Sequence, residues 1–179
     1  MNKKIAILGG GIIGLALAYK LSKQYLNYEI HLFEKESGLG KHQSGNNSGV
    51  LHCGLYYQPN TLKAKLAVDG IREMIKFCRD NEINHEVCGK VVVASNSKET
   101  KILLNLAERG KLNGLKGLKF LNKEELKRRE PYVKANKALL VPEEGIVDYK
   151  MVMEALSVLI KKKGGTIHLN AMIDRVTVR

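Results

Sequence analysis

The sequence has few cysteines and no long apolar run. Its three cysteines, Cys53, Cys78 and Cys88, are widely spaced and form no CxxC pair, so neither a disulfide framework nor a zinc site is expected. Cys78 lies at helical spacing from Met74 and Ile75, which predicts a core position. No run of about 18 apolar residues occurs, so no transmembrane helix is predicted. The start of the chain lacks a signal-peptide cleavage site, and we expect a cytoplasmic protein.

Acidic residues are also scarce: 18 Asp and Glu stand against 30 Lys and Arg, which gives a formal net charge of +12. Such a balance suits nucleic acids, membrane surfaces or anionic substrates. The lysines are scattered over the polar faces of predicted helices, however, and no basic stripe with interleaved aromatic residues occurs. The charge therefore does not indicate nucleic-acid binding.

A glycine motif near the N-terminus carries the first functional signal. An apolar strand, Ile5 to Leu8, precedes Gly9, Gly11 and Gly14, and an apolar helical stretch from Ile12 to Leu21 follows. Gly9 permits a sharp turn, Gly11 permits close approach to phosphates, and Gly14 permits close packing of the helix. The helix N-terminus then faces an anion.

A carboxylate follows this motif at the expected distance. A second strand, Glu29 to Phe33, ends at Glu34, which lies 20 residues after Gly14. An acidic residue there binds the adenosine ribose and would repel the 2′-phosphate of NADP. The sequence therefore predicts a βαβ unit that binds a dinucleotide.

The rest of the chain predicts an α/β organisation without internal repeats. Helices are predicted at 61–82, 96–113, 122–130 and 149–163, and strands around 91–93, 138–141, 166–169 and 175–178. The last helix and the strand at 166–169 are expected to rejoin the first sheet. Residues 1–82 and 148–179 then form the dinucleotide-binding domain, and residues 83–147 form part of a second layer over the ligand.

The loop after the second strand, residues 37–60, is polar and rich in glycine. A loop of this length in a compact protein is usually functional. Ser44 and Ser48 offer hydroxyl groups to phosphate or ribityl oxygens, and backbone N–H groups in such a loop bind anions. NAD enzymes usually continue more directly to the next strand and helix, so the loop disfavours an NAD dehydrogenase.

Together these features resemble the N-terminal part of the L-2-hydroxyglutarate oxidase or dehydrogenase family, flavoproteins of the D-amino-acid-oxidase type. The resemblance rests on the glycine motif, on Leu32–Glu36, and above all on the run HQSGNNSGVLHCGLYY from His42 to Tyr57. It continues through Cys88–Lys90 and Pro142–Val147. The resemblance implies a Rossmann-like FAD-binding domain and the start of an α+β substrate domain. It also implies oxidation of L-2-hydroxyglutarate to 2-oxoglutarate, with oxygen or a membrane quinone as electron acceptor.

The resemblance also implies a set of FAD-binding residues. Gly9, Gly11 and Gly14 would lie at the pyrophosphate, Glu34 at the adenosine ribose, and the backbone near Ile173 at the adenine. Ser44, Asn47 and Ser48 would lie along the pyrophosphate and the flavin. The predicted cofactor site is completed by their neighbours Ile12, Ile13, Lys35, His42 and Gly49. No metal is implied.

His52 is the candidate catalytic residue. Oxidation of an alcohol requires removal of the hydroxyl proton, a task suited to neutral imidazole. Two other roles stay open: covalent attachment of the flavin, which a related branch makes through a histidine in this region, and simple packing within the loop.

Members of this family are much longer, so we expect the chain to be an N-terminal fragment or one half of a split protein. The missing part, which a separate C-terminal chain would supply if the protein is split, would hold the rest of the flavin. Oxidation of glycerol 3-phosphate or of an amino acid stays open as the activity, and so does a non-catalytic dinucleotide-binding remnant. The protein could also lie at the surface of the inner membrane rather than free in the cytoplasm.

Overall fold

A computed structural model describes residues 3–177. The described residues fold into two compact units, 3–49 with 148–177 and 50–147. In chain order the elements are β1 (Lys3–Leu8), α1 (Ile12–Gln24), β2 (Tyr28–Phe33), β3 (Val50–Leu51), α2 (Leu62–Asp80), β4 (His85–Glu86), β5 (Lys90–Ala94), α3 (Ser97–Leu112), β6 (Lys119–Leu121), α4 (Lys123–Arg129), β7 (Lys137–Val141), β8 (Gly145–Val147), α5 (Tyr149–Lys162) and β9 (Thr166–His168).

The first unit contains a parallel sheet in the order β1-β2-β9. Parallel neighbours require crossover connections, and α1 provides the crossover between β1 and β2. Helices α1 and α5 pack against each other. Apolar side chains from the two helices and two strands form the core: Ile7, Leu15, Ala18, Ile30, Leu32, Val152, Leu156 and Ile160. The prediction that the last helix and strand return to the first sheet is confirmed.

The second unit contains two antiparallel sheets. One has the order β3-β8-β4 and the other has the order β5-β7-β6. The predicted strand around Val91–Val93 is β5, and Gly89 separates it from β4 with a φ of +74°. Asn122 and Glu125 form the predicted capping box of α4. Strands β3, β4, β6 and β8 were not predicted, because two or three residues carry too little periodicity.

The compact units divide at residue 49, which differs from the predicted boundary at residue 82. Long-range contacts hold residues 50–82 to the second unit. Strand β3 pairs with β8, and Leu55 packs beside Gly110. The side-chain amide of Asn113 donates to the carbonyl oxygens of Gly54 and Tyr57, at 3.1 and 2.9 Å. These partners are separated by more than fifty residues, so no local pattern in the sequence reveals them.

The strand predicted from Arg175 to Val178 is wrong for residues 175–177, which have no regular secondary structure; Val178 lies outside the described residues. After β9 the chain turns at Asn170, which has a φ of +53°. The Asn170 and Ala171 N–H groups then donate to the carbonyl oxygens of Glu36 and Glu34. This segment therefore follows the loop after β2, and no neighbouring strand pairs with it within residues 3–177.

Within residues 3–177, no helix is both long and apolar enough to span a membrane. Cys78 is fully buried on α2, as its helical spacing predicts. Cys53 is fully buried as well.

Candidate functional site

The turn between β1 and α1 has the geometry that its glycines predict. Gly9 has a φ of +106°, which side chains rarely adopt. A Cβ on Gly14 would lie 2.0 Å from the Gly9 carbonyl oxygen, so the helix packs directly on the turn. Helix α1 begins after Gly11, which offers no side-chain cap, and its first turn holds no acidic residue. The helix N-terminus therefore presents N–H groups and a positive dipole to the cavity beside it.

Ser44 joins the following loop to this helix N-terminus. Its Oγ accepts a hydrogen bond from the Ile12 N–H at 3.0 Å. The Gly40 N–H donates to the Gly10 carbonyl oxygen at 3.0 Å, which holds the same loop against the turn. A Cβ on Gly11 would lie 3.0 Å from Ser44 Oγ, so the two chain segments approach closely here.

Glu34 ends β2 with its carboxylate directed at the glycine turn. The Gly10 N–H donates to Oε2 at 2.6 Å, and the Glu36 N–H donates to Oε1 at 2.9 Å. Burial raises the pKa of this carboxyl, but the hydrogen bonds from Glu36 and Gly10 and the nearby His42 outweigh burial and hold the pKa below its usual value. Glu34 is therefore ionised at neutral pH, and each oxygen keeps a lone pair for a further donor.

An open cavity of about 340 Å³ lies between these groups. Seven of the predicted cofactor residues line it: Gly9, Gly11, Glu34, Lys35, His42, Ser44 and Ile173. The structure therefore brings the glycine turn, the carboxylate and the segment near Ile173 to one place in the first unit.

The other predicted residues do not line this cavity. Gly14 lies under the turn, and the side chain of Ile13 is exposed. Asn47 organises its own loop: its amide nitrogen donates to the Ser44 carbonyl oxygen, and its Oδ1 accepts from the Gly49 N–H. Ser48 is exposed.

Sequence reasoning missed several residues that line the same cavity. Glu36 pairs with His42, with 3.1 Å between Oε1 and Nε2, and Lys41 Nζ donates to Ser37 Oγ. Their position directly after Glu34 could have indicated them. Ala171 and Met172 belong to no motif, and they reach the cavity only because of the turn at Asn170.

A second polar cluster lies in the second unit around Glu144, whose side chain is 1% exposed. Lys90 Nζ lies 2.6 Å from Glu144 Oε2, and His52 Nδ1 lies 3.5 Å from the same oxygen. The backbone N–H and the thiol of Cys53 both donate to Oε1, at 3.4 and 3.3 Å. Lys90 Nζ also lies over the ring of Tyr56, 4.7 Å from its centre.

The His52 side chain is 60% exposed, so its ring is open to an incoming molecule while its Nδ1 edge faces the buried carboxylate. Sequence reasoning singled out His52 but gave no role to Glu144 or Lys90. Glu144 is 92 residues from His52, and no local sequence pattern around Glu144 indicates that the two side chains meet.

Cys53 does not behave as a nucleophile in this cluster. Burial and the adjacent Glu144 charge raise the pKa of its thiol to about 12. The group therefore stays protonated at neutral pH and donates to the carboxylate. Its role within the cluster is that of a hydrogen-bond donor.

The chain is similar in sequence to known flavoproteins. The family model described as FAD dependent oxidoreductase matches residues 4–179. The chain is 44% identical to an L-2-hydroxyglutarate dehydrogenase of Indibacter alkaliphilus over 98% of its length. It is 40% identical to the human mitochondrial L-2-hydroxyglutarate dehydrogenase over 93% of its length. It spans 44% and 36% of those two relatives, so it corresponds to less than half of each.

Solved structures share the fold. An L-alpha-glycerophosphate oxidase from Mycoplasma pneumoniae with FAD bound matches with a TM-score of 0.84 and 29% identity, over 94% of this chain and 44% of that one. A glycine oxidase from Geobacillus kaustophilus matches with a TM-score of 0.80 at 21% identity, over 94% of this chain and 47% of that one. The predicted α/β fold is confirmed, and the chain belongs to the FAD-dependent oxidoreductase family.

Proposed function

We propose that the protein that carries this sequence oxidises L-2-hydroxyglutarate to 2-oxoglutarate with FAD. The observation that carries the proposal is the 40–44% identity to L-2-hydroxyglutarate dehydrogenases over nearly the whole chain. Because the chain spans less than half of those relatives, residues outside this sequence would complete the cofactor and substrate sites.

The cavity in the first unit fits the adenosine and pyrophosphate part of FAD. A pyrophosphate needs N–H donors and positive potential. The start of α1 carries the positive end of the helix dipole and has no side-chain cap at Gly11, while Ser44 Oγ takes the Ile12 N–H. A ribose diol needs an ionised acceptor, and Glu34 is one. The same negative charge opposes a 2′-phosphate, which supports FAD over NADP.

Within this proposal the predicted cofactor residues fall into two groups. Gly9, Gly11, Glu34, Ser44 and the segment near Ile173 would contact FAD from the cavity walls, with Lys35 and His42 at its rim. A second group would act indirectly or from the loop; its members are Ile12, Ile13, Gly14, Asn47, Ser48 and Gly49. Asn47 supports this division, because its side chain already holds the loop together.

His52 would act on the substrate. When bound, FAD supplies the group that accepts hydride from the substrate carbon. His52 would take the hydroxyl proton on Nε2, and its exposed ring beside a buried carboxylate supports that role. Covalent attachment of the flavin through His52 is the competing role.

A His52→Ala variant of the FAD-loaded holoenzyme tests this assignment. We expect the rate of flavin reduction by substrate to fall by about 100- to 10,000-fold, the usual effect of losing a general base. Flavin released by acid precipitation separates the two roles, because a covalent link would keep the flavin on the wild-type protein and release it from the variant. An unchanged rate with unchanged flavin content would remove both roles.

Oxidation of glycerol 3-phosphate is the second candidate function. The specific observation that favours it is the TM-score of 0.84 to the L-alpha-glycerophosphate oxidase. The identity to that enzyme, 29%, is well below the 44% to the L-2-hydroxyglutarate dehydrogenase, so we rank it second. Comparison of flavin reduction by L-2-hydroxyglutarate, glycerol 3-phosphate and glycine separates the candidates.

The electron acceptor and any separate C-terminal chain are also proposed from the resemblance to this family. Oxygen or a membrane quinone would accept the electrons, and a separate C-terminal chain would complete the protein if it is split. A cytoplasmic enzyme that touches the inner-membrane surface would fit the quinone. Flotation with vesicles tests the membrane contact, and oxygen consumption during turnover tests the acceptor.

A further inference from the structure

The proposed role of His52 as a base assigns no role to the adjacent buried carboxylate of Glu144. We propose that Glu144 is a positioning residue: it holds His52 in the tautomer with the proton on Nδ1, so that Nε2 is the free acceptor. The inference rests on the proposed function of His52 and concerns how that residue is prepared for its task.

The two oxygens of Glu144 differ in their surroundings. Oε1 accepts from the backbone N–H and the thiol of Cys53, so it is fully used within the loop. Oε2 is fully buried, and within residues 3–177 it has no aligned hydrogen-bond partner. Its contact with Lys90 at 2.6 Å is an ion pair without hydrogen-bond alignment. A carboxylate oxygen has two lone pairs, so Oε2 can accept a second donor beside Lys90.

His52 is placed to supply that donor. Its Nδ1 lies 3.5 Å from Oε2, and its side chain is 60% exposed, so a small rotation of the ring closes the remaining distance. Hydrogen bonds of catalytic groups are often long in the absence of ligand and shorten when it binds. Oε2 holds Lys90 and keeps a second lone pair, so the exposed His52 ring can add a hydrogen bond to the same oxygen.

A structural ion pair alone does not explain this arrangement. Burial of the Glu144 carboxylate beside a partly exposed ammonium group is costly, and apolar residues of similar size often serve stability equally well. Lys90 neutralises the charge of Glu144, but the same oxygen also lies 3.5 Å from His52 Nδ1, a contact that neutralisation alone does not require. Buried titratable groups cluster at functional sites, and this buried carboxylate lies beside the candidate base.

The contact with Glu144 determines which ring nitrogen of His52 carries the proton. An ionised carboxylate only accepts hydrogen bonds, so the ring nitrogen that faces it must carry a proton. Neutral imidazole has one N–H, which leaves Nε2 unprotonated and directed away from Glu144. When Nε2 takes a hydroxyl proton, the ring becomes a cation beside an anion. Glu144 would therefore fix the tautomer first and stabilise the imidazolium afterwards, as carboxylates do for other histidine bases.

The test uses Glu144→Gln in the FAD-loaded holoenzyme, with Glu143→Gln as the matched control. Glu143 is the adjacent carboxylate and pairs with Arg72, away from His52. We expect Glu144→Gln to slow flavin reduction by about 10- to 100-fold with KM little changed, because supporting partners of active-site groups typically contribute that much. Glu143→Gln should keep the wild-type rate. A wild-type rate in Glu144→Gln would overturn the proposal.

A double-mutant cycle separates positioning from simple loss of structure. In a His52→Gln background, Glu144→Gln should cause no further loss, because a residue that acts through His52 has nothing left to act on. Losses that multiply would contradict the proposal. If Glu144→Gln fails to fold because Lys90 is left unpaired, Glu144→Gln with Lys90→Met restores neutrality, and the same comparison is made with that pair.

A readout independent of activity keeps this inference distinct from the proposed function. The ¹⁵N chemical shifts of the His52 ring in the holoenzyme should report the Nδ1–H tautomer in wild type and a mixture in Glu144→Gln. The Nε2–H tautomer in wild type would overturn the positioning role even if the enzyme oxidises L-2-hydroxyglutarate. Conversely, the proposed function would be refuted if no 2-hydroxy acid reduced the flavin of the wild-type protein. The tautomer measured for His52 would still be valid in that case.

Discussion

The close packing of Gly14 on the β1–α1 turn predicts an unusual response to alanine. Gly→Ala within a helix normally stabilises a protein by about 1 kcal/mol. At Gly14 the new Cβ would lie 2.0 Å from the Gly9 carbonyl oxygen, whereas real Cβ contacts essentially never fall below 3.0 Å. The obstacle is backbone, so the turn itself must move by about 1 Å.

The magnitude follows from two opposed effects. Forcing a methyl group into a packed site costs about 1–3 kcal/mol, and the helix preference of alanine offsets about 1 kcal/mol of it. We expect Gly14→Ala to lose up to about 2 kcal/mol, which lowers the melting temperature by up to about 8 °C for a chain of this size. Because the turn also lines the cavity, the stabilisation that added FAD provides should shrink as well.

Gly70→Ala is the matched control. Gly70 lies within α2, and a Cβ there would meet nothing within 4 Å. Alanine at this position should raise the free energy of unfolding by about 0.5–1 kcal/mol. Thermal unfolding monitored by circular dichroism, with and without FAD, compares the two variants. A Gly14→Ala protein as stable as Gly70→Ala, with the wild-type response to FAD, would refute the packing argument.

Three further predictions concern ionisation, thiol reactivity and helix capping. The folded-state pKa of Glu34 is lowered, so its contribution to stability is fully present above the unfolded value of about 4.3 and is lost as the pH falls through the folded pKa. Urea unfolding across this range should therefore show a weaker acid dependence in Glu34→Gln, and an identical dependence would contradict the assignment. Iodoacetamide at pH 8 should modify Cys88 in the folded protein but neither Cys53 nor Cys78, because both are buried and burial raises their thiol pKa values. Peptide mass spectrometry measures the extent of labelling at each cysteine. Rapid labelling of Cys53 would contradict its buried hydrogen bond to Glu144. Asn122→Ala removes the capping box of α4 and should cost about 1 kcal/mol of unfolding free energy, with Asn122→Gly costing less; equal losses in denaturant unfolding would exclude a side-chain cap.

The first part of the fold could be predicted because its signals are local. The glycine spacing, the apolar strand before it and the carboxylate after β2 all lie within residues 5–34, and together they indicated the turn, the helix and Glu34. The cavity then gathers Ser44 and Ile173 with them, and their contact with FAD stays a prediction.

The remaining features depend on contacts that no local pattern encodes. Residues 50–57 belong to the second unit because of hydrogen bonds from Asn113 and pairing with β8. The segment after Asn170 looked like a strand because apolar and polar residues alternate, but a strand needs a neighbour to pair with. Glu144 was missed for the same reason: only the folded chain brings it to His52.

The proposed activity can be tested by anaerobic addition of L-2-hydroxyglutarate to the purified, FAD-loaded protein that carries this sequence, with flavin absorbance as the readout. We expect L-2-hydroxyglutarate to bleach the flavin bands and 2-oxoglutarate to accumulate in equal amount, while glycerol 3-phosphate and glycine leave the bands unchanged. Flavin that stays oxidised with L-2-hydroxyglutarate, or that is reduced by glycerol 3-phosphate instead, would contradict the proposed activity.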